Sequence, residues 1–400
     1  MTFSLKLTLC FASVLSTASA SAQATLRSES ETSDPTPIAQ VYVSNTINPK
    51  SASPTNEVFA YTAAANGKLT PVPGSPFQEN VAQMQENGKY LLGVDTNAVY
   101  IDTFSIASDG ALRKIATINA QTYNPGGSCG LGPIDVDHSG GALYNLVNDS
   151  SCINSEFQAF RIEQSTGDLK YLGTTAAIAD RVNSIGFLAN NLYAYATSCG
   201  VIDHESSGEI DSFQRNSNGA LTFKNNATVF PAPVNSDYFY CPSIVATDPS
   251  NHLAISFKLT DAVGNGYGAP ALGTYTADKY GNLTTTSTYK NMPTVDTGAS
   301  ISWMRMAPSG KLLAVGGGSG LEIFHFNGGA PPSKYADLLR NEAVGQFYWD
   351  DNNHLYILVN ESDPGRGKLF VYTITPTSIS EAPGSSYSIP NPRNIIVKYR

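Results

Sequence analysis

Basic side chains are scarce in this 400-residue chain: 24 Lys and Arg stand against 33 Asp and Glu, for a formal net charge of −9. That balance argues against nucleic acid, whose binding needs a basic face to release counterions from phosphates, and against anionic membrane surfaces. Charge of either sign is sparse, at 14% of residues, and Asn, Ser, Thr and Gly fill the turns instead. Histidine occurs five times and never as H-x-x-x-H, and no two cysteines lie two to four residues apart. The common zinc arrangements are therefore missing, and no metal is expected. The GGGSG run at Gly316 to Gly320 lacks the Lys-Ser/Thr pair and the helix of a phosphate loop, so no cofactor is expected either. Long amphipathic helical periodicity is absent. Beyond the N-terminal leader no segment is apolar enough to cross a bilayer.

What the N-terminus does contain is a positive, apolar, small-residue order. Lys6 precedes the run Leu7 to Leu15, and two A-x-A patterns follow, Ala20-Ser21-Ala22 and Ala22-Gln23-Ala24. This is the layout of a signal peptide over residues 1–24, with cleavage expected after Ala22 or Ala24. The location expected is secreted or periplasmic. Residues 25–39 read as a Ser/Thr/Glu/Pro-rich flexible lead-in.

The strongest signal is internal periodicity. Tight glycine turns precede a leucine in "ANGKL" to Leu69, "SDGAL" to Leu112, "TGDL" to Leu169, "SNGAL" to Leu221 and "YGNL" to Leu283. Divergent turns at Gly328-Gly329 and Pro376-Thr377 bring the count to seven. Glycine suits these places because hairpin turns need positive φ. A second set of turns lies near Gly88, Gly140, Asn190, Asn251, Gly310 and Asn352. That set is one short, and the two termini supply the missing unit. "RNIIV" at Arg393 to Val397 reads as a first strand with no second, and "VYVS" at Val41 to Ser44 as a second strand with no first. The fold expected is all-β: a seven-bladed β-propeller of four-stranded blades over residues 40–400, closed by pairing of the two terminal strands. Closure removes free sheet edges. A pair of β-sandwiches, the rival architecture, explains neither seven units nor the split repeat.

"VYVSN" at Val41 to Asn45, "GKLTPVPGSPF" at Gly67 to Phe77 and "MAPSGKLLAVGG" at Met306 to Gly317 closely resemble the repeats of the YVTN-type and lactonase-type seven-bladed propellers. The resemblance spans roughly Gln40 to Arg400. Its enzymatic branch, similar to 6-phosphogluconolactonase and carboxymuconate cyclase, implies hydrolysis of a small lactone. That branch carries a "GPRHxxF" first strand and an "NE" pair. Here Gly132-Pro133 matches, but Ile134 and Asp135 replace the Arg and His, and the pair Asn360-Glu361 follows a different strand. The alternative is a non-catalytic extracellular propeller that binds a glycan, peptide or protein.

In such a ring the loops before each first strand and after each second strand share one face. All four cysteines left after cleavage fall in loops there: Cys129, Cys152, Cys199 and Cys241. An even count in an exported chain suggests two disulfides. Three pairings are open; those expected are Cys129–Cys152, within one blade, and Cys199–Cys241, between adjacent blades. Lactone hydrolysis needs a base for water and a cation for the oxyanion. Arg305, in the first strand "SWMRMA", and Glu361 are the candidate pair, with His204 as a second base. Asn148, Asp149, Asn360 and Asp95 are candidate ligand contacts. The site is expected at the channel mouth on the cysteine-bearing face. There a small molecule or glycan, and more specifically an acidic ligand, would meet a monomeric protein.

Overall fold

Seven antiparallel sheets, each of at least four strands, account for nearly all the regular structure in the computed structural model. The structure describes residues 36–47, 55–123, 131–148, 154–176, 178, 182–202, 205–226, 230–231, 237–261, 263–360 and 366–399. Thr36–Arg400 is one compact unit. The expected seven-bladed propeller is what forms.

Blade 1 is assembled from both termini. Its order is Pro392–Tyr399, Ala39–Ile47, Thr55–Ala63, Leu69–Pro71. Val41 pairs with Val397, Tyr42 with Ile396, Val43 with Ile395 and Ser44 with Asn394. These are the two segments that the repeat analysis left unmatched. Blades 2 to 7 follow in chain order, with first strands Gln83–Glu86, Leu131–Val136, Val182–Phe187, Tyr238–Thr247, Ile301–Met306 and Val344–Trp349. Blade 7 carries a short extra strand, Tyr387–Ser388, on Gly367–Thr375.

The blades are apolar on both faces because each face meets a neighbouring blade. Along Val41-Tyr42-Val43 the side chains alternate between these neighbours. Val41 and Val43 pack with Tyr356, Leu358 and Val371 of blade 7. Tyr42 packs with Leu91 and Phe104 of blade 2.

Second-strand tyrosines tie three of the blades to the next, blade 1 to 2, 3 to 4 and 4 to 5. Tyr42 Oη donates to Gly110 O at 2.9 Å, Tyr144 Oη to Gly219 O at 2.6 Å and Tyr195 Oη to Gly281 O at 2.8 Å. Each acceptor is the glycine of the next blade's third-to-fourth-strand turn. Burial pushes the Tyr144 and Tyr195 hydroxyls well above the ordinary phenol range, so they remain donors. The glycine is needed twice over. Gly281 has φ +78°, and a Cβ there would come within 2.5 Å of the Tyr193 ring. In these three pairs the turn glycine of the repeat and a second-strand tyrosine are the two halves of one inter-blade bond.

Two ends of the ring need distinguishing. The first-to-second-strand turns, such as Ala307 to Lys311, lie at one end, called here the turn face. The Cys199–Cys241 disulfide lies at the other, with Cα atoms 5.3 Å apart. These two cysteines sit in strands rather than in loops. Cys199 lies in Tyr193–Ile202 and Cys241 in Tyr238–Thr247, where long hairpins of blades 4 and 5 extend. Cys129 and Cys152 lie outside the described residues.

Candidate active site in the central channel

A cavity of ≈ 700 Å³ occupies the centre of the ring, within the range that holds a small molecule. All seven first strands contribute to its wall, from Glu86 in blade 2 round to Tyr399 in blade 1. Asn87-Gly88, Ser139-Gly140, Asp248-Pro249 and Ala307-Pro308 also line it, so the cavity reaches the turn face.

Equal registers on different blades converge in a propeller, and here they bring charge together. Arg305 is the last residue but one of its strand, as are Asp135 in blade 3 and Tyr348 in blade 7. Glu86 and Tyr399 end their own first strands or nearly so. One layer near the turn face therefore holds a guanidinium, two carboxylates and two phenols.

Arg305 is held by blade 7, which is itself tied to blade 1. Its guanidinium carbon lies 3.6 Å from the centroid of the Tyr348 ring, a cation–π stack. Its carbonyl oxygen accepts from Trp349 Nε1 at 3.2 Å, and Trp349 O in turn accepts from Tyr399 Oη at 3.1 Å. Among the described residues its Nη1 is buried with no hydrogen-bond acceptor, and so is Nε1 of Trp303 two residues earlier on the strand. A buried donor left unpaired is costly, about 1–3 kcal/mol. Two such donors in a cavity wall mark where a ligand or water supplies acceptors.

Facing this cation are Glu86 and Asp135. Burial raises the Asp135 carboxyl to about 6, opposed by the Arg305 charge and by the Val136 N–H that donates to it at 2.9 Å. Burial also raises Glu86, opposed by the Gly88 N–H bond and by the charges of Lys398 and Arg305. The Arg305 guanidinium holds down the Tyr348 phenol, but burial dominates and pushes it to about 12. Arg305 influences Asp135, yet none of the described ion pairs joins them. The arrangement is a cation and a carboxylate that titrates near neutrality, set across a cavity without neutralising each other in contact.

Of the residues singled out in the sequence, Arg305 lines this cavity, but at the turn end rather than the cysteine end. Asn360 closes the second strand of blade 7, paired with Gly367, at the opposite end of the ring. Glu361, the partner expected for Arg305, is its neighbour and lies outside the described residues, as do His204 and Asp149. The structure does not bring Asn360 and Arg305 together. Asn148, at the cysteine end of blade 3, accepts from Ser155 Oγ at 3.4 Å. Asp95 is buried, and its Oδ1 accepts from the Val99 and Tyr100 N–H groups at 2.8 and 2.9 Å, which commits it to its own turn. Asp135, Glu86, Tyr348 and Tyr399 escaped the sequence reading as site residues. For Asp135 a signal existed, since it occupies the histidine position of the "GPRH" pattern. Counting back from each turn would have placed it level with Arg305. Among the described residues no group of three or more His, Cys, Asp or Glu side chains is arranged to hold a metal ion.

No protein-family model matches the sequence, and no curated protein matches it. Solved structures do. A putative 6-phosphogluconolactonase from Bacteroides fragilis superposes with a TM-score of 0.60 at 13% identity, covering 90% of this chain and 98% of that one. The periplasmic gluconolactonase of Pseudomonas aeruginosa gives 0.61 at 12%, covering 90% and 99%. These proteins and this chain share one fold. A hypothetical selenium-binding protein from Sulfolobus tokodaii shares it as well, with a TM-score of 0.62 at 9% identity over 90% and 94% of the two chains. At such identities the likeness is one of architecture, and function has to be argued from the channel.

Proposed function

We propose that this propeller is an exported lactonase-type hydrolase whose active site is the turn-end layer of the central channel. The observation that carries the proposal is the juxtaposition of Arg305, with a buried unpaired Nη1, and Asp135 in a cavity of small-molecule size. Arg305 would hold the acyl oxygen and stabilise its negative charge as water adds. Asp135 would take the proton from that water. The acyl carbon gains an oxygen from water, the ring C–O bond breaks, and the released alkoxide is protonated to leave a hydroxy acid. A carboxylate titrating near 6 is mostly ionised at neutral pH, yet basic enough to act. Export is supported by the leader, by the Cys199–Cys241 bond, which oxidising compartments favour, and by the periplasmic setting of a similar protein.

The test is the pH dependence of lactone hydrolysis. The wild-type rate should rise through an ionisation near pH 6, and Asp135→Asn should abolish that limb with a loss of about 100-fold or more. Unchanged turnover in a folded Asp135→Asn protein would refute the assignment. The replacement of Arg and His by Ile134 and Asp135 favours a second reading, in which the same channel binds a sugar without turning it over. That reading predicts ligand binding with no hydrolysis at any pH.

A further inference from the structure

The charge of the ligand can be read from the wall of the channel. Among the described residues the lining carries four carboxylates, on Glu86, Asp135, Asp137 and Asp248, against one guanidinium, Arg305. Two of the four have partners of their own. Asp137 Oδ2 lies 2.6 Å from Arg215 Nη2, and Asp248 Oδ2 lies 2.9 Å from His252 Nδ1. The other two, Glu86 and Asp135, face Arg305, with Lys398 and Asp351 also acting on Glu86. With Glu86 and Asp135 ionised, the wall therefore carries more negative than positive charge even though, among the described residues, Arg305 is in contact with neither. A second anion brought by a ligand would meet a surplus of negative charge inside a cavity that screens poorly. Hydroxyl groups would meet acceptors instead, and the rings of Trp303, Tyr348 and Tyr399 offer apolar surface beside them.

We infer, resting on the hydrolase reading, that the channel takes an uncharged, hydroxyl-rich sugar lactone and selects against phosphorylated and carboxylate-bearing analogues. This runs against the acidic ligand that Arg305 suggests when considered alone. It also gives the reaction a direction. Hydrolysis turns a neutral lactone into a carboxylate, which the same wall repels, so the product is expelled by the charge that admitted the substrate.

The chain contains two tryptophans, and both Trp303 and Trp349 line the cavity. Their fluorescence therefore reports occupancy independently of turnover. The experiment has two arms, both on the full-length mature protein. Hydrolysis of D-glucono-δ-lactone, its 6-phosphate and D-glucaro-1,4-lactone is followed by pH-stat. Fluorescence is titrated with D-gluconolactam, an uncharged analogue that resists hydrolysis, and with D-gluconate and D-glucose 6-phosphate. The uncharged lactone should show a kcat/KM at least about tenfold above either anionic one. Glu86→Gln should narrow that ratio by about fivefold, and raised salt should narrow it too. Equal or better use of an anionic lactone overturns the inference while leaving the hydrolase reading in place. Quenching by gluconolactam alone, with no lactone hydrolysed, upholds the ligand assignment and removes the hydrolase reading. Failure of every probe to be hydrolysed or to quench overturns both.

Discussion

Single side chains in this molecule do one of two jobs, joining blades or charging the channel. Tyr195 does the first, and Tyr195→Phe should cost about 1 kcal/mol by leaving Gly281 O buried without its donor. Gly281→Ala should cost more, because it meets both a positive φ and the Tyr193 ring. Chemical denaturation of the two variants checks the order. Asp135 does the second job, at the expense of stability. Burial holds its folded pKa at about 6, above the usual carboxylate range near 3.9, so the folded state binds that proton more tightly than the unfolded chain. Below about pH 4 both states are protonated and nothing is lost. As pH rises from about 4 through 6 the folded state loses about 3 kcal/mol relative to a non-titrating side chain. Asp135→Asn should therefore match wild type near pH 4 and melt several degrees higher at pH 7. A constant difference in Tm across that range would contradict the burial of this carboxyl.

Hairpins and strands carry the next level of the account. The extended hairpins of blades 4 and 5 are held by a disulfide spanning 42 residues of sequence. Loop-entropy reasoning assigns such a link about 3–4 kcal/mol. Replacing Cys199 and Cys241 together by serine should lower the melting temperature by several degrees, and dithiothreitol should have little further effect on that variant beyond what Cys129 and Cys152 contribute. Scanning calorimetry with and without reductant measures both. At this scale the sequence was most informative. Turn glycines and the unmatched terminal strands each follow from local backbone chemistry, which a repeat displays several times over. The length of the blade 4 and 5 hairpins was less visible, because Tyr193–Ile202 runs on past the point where its repeat ends. Cys199 and Cys241 therefore lie in strands where the repeat alone implies loops.

For the whole molecule, ring closure and the channel are one problem. The closing strand Pro392–Tyr399 completes blade 1 and also delivers Tyr399 to the channel. Deleting it would expose the edge of Ala39–Ile47 and leave the apolar faces of Val41 and Val43 without Ile395 and Val397. The truncated chain should aggregate, or recover its fold only when the strand is supplied as a peptide, and light scattering distinguishes these results from an intact monomer. The site was far less legible than the ring. Arg305 could be picked out as a charge on an inner strand, but Asp135, Glu86 and Tyr348 come from blades far away in sequence, and only closure brings their registers level. The face was misjudged for the same reason. Where a side chain lies along the channel depends on its distance from the turn, and Arg305 is two residues from Ala307. A crystal structure of the mature protein with D-gluconolactam is the most direct test of this account. It should show the ligand in the turn-end layer, its carbonyl oxygen on Arg305 and its ring beside Trp303 and Tyr348, with Asp135 across from the acyl carbon. Ligand density at the cysteine end, beside Asn148 or Asn360, with the turn-end layer empty, would contradict it.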